Sequence, residues 1–161
     1  NFNEGLASLD KLLEKYPKNL VLNTTKVEFL SYFNKFNDAL DLANKFLEIS
    51  PKNYPLSISK SQILLNMGQY FESEEIIRDQ LLRKNDSPEL WFMLSETQKT
   101  SQNIVGYHQS RAEYFLLLGQ DEKALNQLEF ALQLTQNNFQ VSDRIMTKII
   151  EIKKFLRIFF F

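Results

Sequence analysis

Apolar residues recur along most of this chain at the spacing of one helix face. In the clearest stripe, near the C-terminus, they are Val141, Ile145, Ile149, Ile152, Leu156 and Phe159. Intervals of three, four and seven residues predict a helix over roughly residues 140–157. Only four glycines and four prolines interrupt the 161 residues, and no segment shows sustained strand alternation. The pattern predicts an all-α chain of about nine helices.

Turn-forming and small residues return at a fixed interval of 34 positions. The pairs are Pro17 and Pro51, Asn34 and Gly68, Phe36 and Tyr70, and Ala39 and Ser73. A period of 34 is that of the tetratricopeptide repeat (TPR), whose unit is a pair of helices, A and B, joined by a tight turn. We predict left-handed turn residues at Asn34, Gly68 and Gly119. Small residues at Gly5, Ala39, Ser73 and Ala124 would let helices A and B approach closely.

The predicted fold class is therefore an all-α TPR solenoid, an α-α superhelix with a C-terminal capping helix. Gly68 and Gly119 are 51 residues apart, one and a half periods, so we expect an extra helix over about 88–100. It is interpreted either as a filler or as a phase slip that creates a pocket or hinge. The predicted divisions of this single domain are 1–17 (truncated first repeat), 18–51 and 52–85 (repeats), 86–103 (half-repeat), 104–137 (repeat) and 138–161 (capping helix and apolar tail).

Composition narrows the function classes. A net charge of −1 without blocks of like charge gives no reason to expect nucleic acid or an anionic membrane as partner. No cysteine is present, so disulfides and thiolate metal sites are excluded, and we expect no cofactor. No apolar run reaches the roughly 18 residues of a membrane span, and no secretory signal is seen. Because the chain begins at Asn1 within a predicted helix, we expect it to belong to a longer protein.

The candidate binding site is the groove lined by helices A. In the TPR unit, positions 2, 5, 9 and 12 of helix A face this groove. The matching residues are Thr24, Glu28, Ser31, Ile58, Gln62, Leu65, Phe92, Glu96, Lys99, Gln109, Glu113 and Leu116. Apart from Lys99, these slots lack the Lys and Asn with which one TPR subclass clamps a terminal carboxylate, so an acidic peptide terminus is not the expected ligand. The mixture of apolar and acidic residues predicts an extended or helical segment with apolar and basic side chains.

Several segments resemble one family more closely than a generic repeat does. They are HQSRAEYF at 108–115, LGQ at 118–120, ALNQL at 124–128, SDRI at 142–145 and IIEIKKF at 149–155. Together they resemble the C-terminal TPR domain of periplasmic zinc metalloproteases of the β-barrel assembly-enhancing protease type. The resemblance is best over residues 88–157 and generic upstream of that range.

The resemblance implies a role for the chain. In that family a catalytic domain precedes the TPR tail, and the tail docks on the outer-membrane β-barrel assembly machinery and its stalled substrates. The family's zinc motif, His-Glu-x-x-His, is absent here, and His108 is the only histidine. The resemblance therefore implies a non-catalytic, periplasmic arm that recruits a metalloprotease. The alternative is a generic TPR adaptor or scaffold in envelope or pilus assembly, unrelated to proteolysis.

Two further features are open to more than one interpretation. His108 is interpreted either as a pH-sensitive contact or as a helix-surface residue without partners. We expect the second, since no nucleophile or acid can be paired with it from the sequence. The tail Ile158–Phe161 is too apolar for a solvated end. We expect it to tuck into the solenoid, to mediate self-association together with the C-terminal helix, or to belong to a contact outside the chain.

Overall fold

A computed structural model describes residues 1–135 and 137–159, apart from the side chains of residues 157–159. The described residues form nine α-helices and no strand. The helices are α1 (Phe2–Lys15), α2 (Leu20–Tyr32), α3 (Phe36–Ile49), α4 (Tyr54–Asn66), α5 (Tyr70–Leu81), α6 (Pro88–Thr100), α7 (Ile104–Leu117), α8 (Asp121–Gln133) and α9 (Phe139–Phe159). The chain divides into two compact units, Asn1–Ile76 and Ile77–Phe161.

Helix starts in the first unit repeat as the 34-residue register predicts. Asn19 and Asn53 are the N-caps of α2 and α4, and their side chains accept hydrogen bonds from the backbone N–H groups of Leu22 (3.1 Å) and Leu56 (3.0 Å). An N-cap side chain satisfies one of the otherwise unpaired N–H groups of a first turn. Local chemistry therefore starts both helices A at equivalent positions.

The tight turns between helices share one backbone conformation. Asn34, Gly68 and Gly119 have φ of 58°, 77° and 67°, which confirms the predicted left-handed turn residues. Gln102 adopts the same conformation, with φ of 62°, although a glutamine does not signal it in sequence. It lies 34 residues after Gly68, so the turn from α6 to α7 continues the period. Backbone hydrogen bonds of 2.8–2.9 Å spanning five residues close all four turns, as at many helix ends.

Small residues lie at contacts between neighbouring helices. Ala39, Ser73 and Ala124 are fully buried, as predicted. In the first unit, the Ser73 hydroxyl donates to the Ser61 carbonyl oxygen at 2.9 Å and lies 3.1 Å from the Ser61 hydroxyl. The core of this unit continues through α2, α3 and α4, which pack against one another.

The second unit is built around α7, which packs against both α6 and α8. Because α7 is shared, the predicted division into a half-repeat (86–103) and a repeat (104–137) depends on which pairing of α7 is counted, and it stays a prediction. The core lies between α7, α8 and α9. Helix α9 buries the predicted stripe residues Ile145, Ile149 and Ile152 in that core. The Phe159 side chain and residues 160–161 of the apolar tail lie outside the described residues.

Candidate protein-binding surfaces

In the first unit, the exposed faces of α2 and α4 lie side by side. The Ser59 hydroxyl of α4 donates to Glu28 Oε1 of α2 at 3.2 Å. Glu28 and Gln62 are both exposed, and Gln62 donates to Asn66 on its own helix at 3.2 Å. Position 9 of each helix A therefore presents a polar side chain to solvent.

The other predicted groove residues of this unit are less accessible. Thr24 is 9% exposed, and its hydroxyl donates to the Leu20 carbonyl oxygen at 2.8 Å within α2. Ser31, Ile58 and Leu65 are half-buried. Thr24 therefore offers little side-chain surface to a ligand, whereas the other three contribute part of theirs.

Two exposed residues of α2 are absent from the predicted groove. Val21 is 75% exposed and Tyr32 is 81% exposed. They lie seven residues before and four residues after Glu28, which places them on the same helix face. The spacing was available in the sequence, but apolar residues in a helical pattern are usually assigned to the core.

In the second unit, α6 presents a continuous outer face. Phe92 is 40% exposed, Glu96 is half-buried and Lys99 is exposed. The Lys99 ammonium lies 5.9 Å from the centroid of the Tyr107 ring. Helical spacing also places Glu89 on this face, one turn before Phe92. Here the predicted residues form one surface, with an aromatic ring flanked by acids.

Glu89 is ionised more readily than an ordinary glutamate. The Ser87 hydroxyl donates to Glu89 Oε2 at 2.8 Å, and this hydrogen bond is the main cause that lowers the pKa of Glu89. Its own backbone N–H and the charge of Lys84 lower the pKa further, and desolvation opposes them. A negative charge in the first turn of α6 also interacts favourably with the helix dipole.

The predicted residues of α7 take part in packing. Gln109, Glu113 and Leu116 are half-buried. Glu113 Oε1 lies 2.5 Å from Lys148 Nζ of α9, and Leu116 packs against the core of the unit. The charge of Glu113 is therefore balanced within the chain, and Leu116 contributes to the fold.

His108 makes side-chain contacts that the sequence did not predict. Its Nδ1 lies 2.8 Å from Gln127 Oε1 of α8, and its ring lies 5.5 Å from that of Phe130. The expectation of a surface residue without partners is wrong, because the pairing of α7 with α8 brings Gln127 against the ring. The Gln127 oxygen accepts a hydrogen bond from Nδ1 and thereby selects that tautomer.

Arg111 of α7 is enclosed by aromatic rings. Its Cζ lies 5.0 Å from the ring centroid of Phe92, 5.2 Å from that of Tyr114 and 5.1 Å from that of Phe115. Its Nε and Nη1 are buried and have no hydrogen-bond partner among the described residues. We refer to Arg111 with these three rings as the arginine cage.

The energetics of the arginine cage are closely balanced. Each cation–π contact contributes about 0.5–2 kcal/mol. A buried N–H group without an acceptor costs about 1–3 kcal/mol, and more when the group is charged. The cation–π contacts therefore roughly offset the free-energy cost of burying the unpaired N–H groups of Arg111, and they leave no clear net stabilisation. Sequence reasoning missed the cage because Phe92 and Arg111 belong to different helices.

The described residues contain no group of three His, Cys, Asp or Glu side chains that could hold a metal ion. None of their helices combines the length and apolar character that crossing a membrane requires.

Comparison with known proteins identifies the fold. Neither a protein family model nor a curated protein sequence matches the chain. Among solved structures, MamA (41-end) from Desulfovibrio magneticus RS-1 has a TM-score of 0.65 at 13% identity, covering 95% of this chain and 86% of that one. The MamA RS-1 ArsTM double mutant has a TM-score of 0.65 at 13% identity, covering 96% of this chain and 86% of that one. A tetratricopeptide repeat protein from Parabacteroides merdae ATCC 43184 has a TM-score of 0.56 at 14% identity, covering 92% of this chain and 64% of that one.

At these identities the likeness concerns the fold alone. The chain has the all-α fold of TPR solenoids, which generally serves as a non-catalytic module for binding other proteins.

Proposed function

We propose that this chain is the non-catalytic TPR arm of a periplasmic zinc metallopeptidase and that it recruits the enzyme to outer-membrane protein assembly. The partners would be components of the β-barrel assembly machinery and its stalled substrates. The proposal rests on the family-like segments, because the fold by itself supports only a protein-binding module.

The position of these segments supports the proposal. The resemblance is best over residues 88–157, and this range corresponds to α6 through most of α9. Within it, α7, α8 and α9 share one buried core. The residues that carry the resemblance therefore belong to one packed unit and are not scattered motifs.

The exposed side chains suit a polypeptide ligand. The outer face of α6 offers Phe92 for an apolar side chain, with Glu89 and Glu96 one turn to either side. In the first unit, Glu28 lies on a face with the exposed side chains of Val21 and Tyr32. Aromatic rings beside carboxylates favour an extended or helical segment with apolar and basic side chains.

The alternative is a TPR adaptor or scaffold in envelope or pilus assembly, unrelated to proteolysis. The fold is compatible with both candidates, because by itself it supports only a protein-binding module.

A pull-down distinguishes the two. The chain would be immobilised and offered a detergent-solubilised envelope extract of its source organism, together with Phe92→Asp and Leu117→Asp variants. Phe92 and Leu117 are each 40% exposed, so the second variant is a matched control for placing a charge on the second unit. Leu116 is left unchanged because it packs against the core. Circular dichroism would verify that both variants are folded.

We expect outer-membrane assembly components or unfolded β-barrel proteins to bind to the wild type and to Leu117→Asp, but not to Phe92→Asp. Retention only of proteins unrelated to outer-membrane protein assembly would overturn the recruitment role and leave the adaptor or scaffold. If the wild type and both variants retained the same proteins equally, the α6 face would not belong to the binding surface.

A further inference from the structure

We infer that the arginine cage is a subsite for an acidic side chain, and that Arg111 pairs there with an Asp or Glu carboxylate of the bound polypeptide. The inference rests on the proposed protein-binding function and specifies the chemistry of the partner.

The first argument is the uncompensated charge of Arg111. No hydrogen bond or ion pair joins Arg111 to another described residue; its contacts there are the faces of Phe92, Tyr114 and Phe115. The other half-buried cation among the described residues of this unit, Lys148, has a carboxylate partner in Glu113. Aromatic faces attract a guanidinium but do not accept its N–H groups as strongly as a carboxylate does.

The second argument is access. Nε and Nη1 are buried, but Arg111 as a whole is half-buried, so part of the residue reaches the surface. The remaining guanidinium nitrogen, Nη2, is the atom at which the inference places the carboxylate. Three rings around Cζ restrict the side chain in advance, so less conformational entropy is lost when an ion pair forms.

The third argument is the composition of the cage rim. Phe92 is 40% exposed, and its ring lies 5.5 Å from that of Tyr114. A carboxylate at Nη2 would bring the neighbouring apolar residues of the same segment against these rings. Because the α6 face continues on both sides of Phe92, an internal Asp or Glu fits better than a chain terminus. A basic residue elsewhere in the segment would reach Glu96, so the partner carries both signs of charge.

The predicted groove holds no Asn and only one Lys, Lys99, and this does not conflict with the inference. That absence concerns the slots of helix A that hold a terminal carboxylate in one TPR subclass. Arg111 lies outside those slots, between Gln109 and Glu113 of α7.

The test uses a displayed library of random twelve-residue peptides selected on the whole chain. Selected peptides would be synthesised with amidated C-termini, each with a partner in which Asp or Glu is replaced by Asn or Gln. Affinities would be measured for the wild type, Arg111→Met, Arg111→Lys and Lys123→Met. Lys123 Nζ lies 5.6 Å from the Phe115 ring centroid, so Lys123→Met removes one charge and one ring contact without altering Arg111.

We expect acidic residues to be enriched at one position of the selected peptides. Replacing the acid by its amide, or Arg111 by Met, should weaken binding about 10- to 100-fold, the range for losing one charge-assisted hydrogen bond. Arg111→Lys should restore part of the affinity, and Lys123→Met should leave it within about twofold. The Arg111 Nε–Hε resonance should shift with the acidic peptide and not with its amide partner.

Three other results overturn the inference in different ways. Peptides that bind with equal affinity to the wild type and Arg111→Met would leave the chain a peptide-binding module and reduce the cage to a structural cation–π cluster. A library from which no peptide is enriched would contradict the proposed binding function together with the cage. Each peptide would also be made with a free C-terminus. If only that form binds and replacing the internal acid has no effect, the ligand of Arg111 would be a terminal carboxylate and not a side chain.

Discussion

Gly106 in the first turn of α7 offers a sharp test of the packing in the second unit. A Cβ at this position would lie 2.6 Å from Asn103 Nδ2 and 2.8 Å from Gln98 Nε2. Both side chains are held in place: Asn103 Oδ1 accepts from the Gly106 N–H at 3.1 Å, and Gln98 Oε1 accepts from the Ser110 hydroxyl at 2.7 Å. Gly106→Ala must therefore displace the N-cap of α7, a buried glutamine or both.

The expected effect is the balance of one stabilising and two destabilising contributions to the free energy of unfolding. Alanine is favoured over glycine within a helix by about 1 kcal/mol. Loss of an N-cap costs about 1 kcal/mol. Disturbing a buried side-chain hydrogen bond such as Ser110–Gln98 costs about 1–3 kcal/mol. We therefore expect Gly106→Ala to lower the free energy of unfolding by about 2 kcal/mol, although a helical Gly→Ala change normally raises it.

Urea unfolding followed by the fluorescence of Trp91 would measure this change. Trp91 is the only tryptophan; it lies in α6, and its Nε1 donates to the Asn85 carbonyl oxygen at 2.8 Å. The signal therefore reports on the unit that contains Gly106. If displacement of the N-cap contributes, Gly106→Ala should lower the free energy of unfolding by less in an Asn103→Ala variant than in the wild type. An increase in stability on Gly106→Ala would refute the steric argument.

Three further changes test other parts of the structure. Gln102→Gly should raise the free energy of unfolding by about 1 kcal/mol by Trp91 fluorescence, because φ of 62° disfavours residues with a Cβ; a decrease would contradict this. Ser73→Ala should lower the free energy of unfolding by about 1–2 kcal/mol, as measured by thermal unfolding. Adding Ser61→Ala should restore part of this stability, since both partners of a buried hydrogen bond are then removed. The lowered pKa of Glu89 means that its contribution to stability is present above its unfolded pKa and is lost as the pH falls through the folded pKa. Glu89→Gln should therefore lower the free energy of unfolding at neutral pH and not in strong acid. If the variant differed from the wild type by the same amount at both pH values, the lowered pKa of Glu89 would be contradicted.

Sequence could predict the turns only where the turn residue is typical. Asn34, Gly68 and Gly119 were predicted because asparagine and glycine tolerate a left-handed backbone. Gln102 was missed because glutamine has no such preference. Its conformation follows from the close pairing of α6 with α7 and from the hydrogen bond between the Asn103 N–H and the Gln98 carbonyl oxygen at 2.8 Å.

The candidate site was predictable in part for a similar reason. The outer face of α6, with Phe92, Glu96 and Lys99, follows from helical spacing alone, and the structure places these residues on one surface. The sequence could not predict how much of Thr24 or Leu116 is buried. Burial depends on which neighbouring helix covers a residue, and that is a long-range property.

By itself, the sequence determined the helices, their spacing and the interval between turns. These follow from interactions within a few residues: N-caps such as Asn53, a left-handed residue such as Gly68, and apolar side chains three or four positions apart. Tertiary structure decided what surrounds each side chain. Helix α7 packs against α6 and α8, and Lys148 of α9 reaches Glu113. Arg111 therefore lies among aromatic rings and His108 against Gln127, partners that come from different helices and that no local pattern encodes.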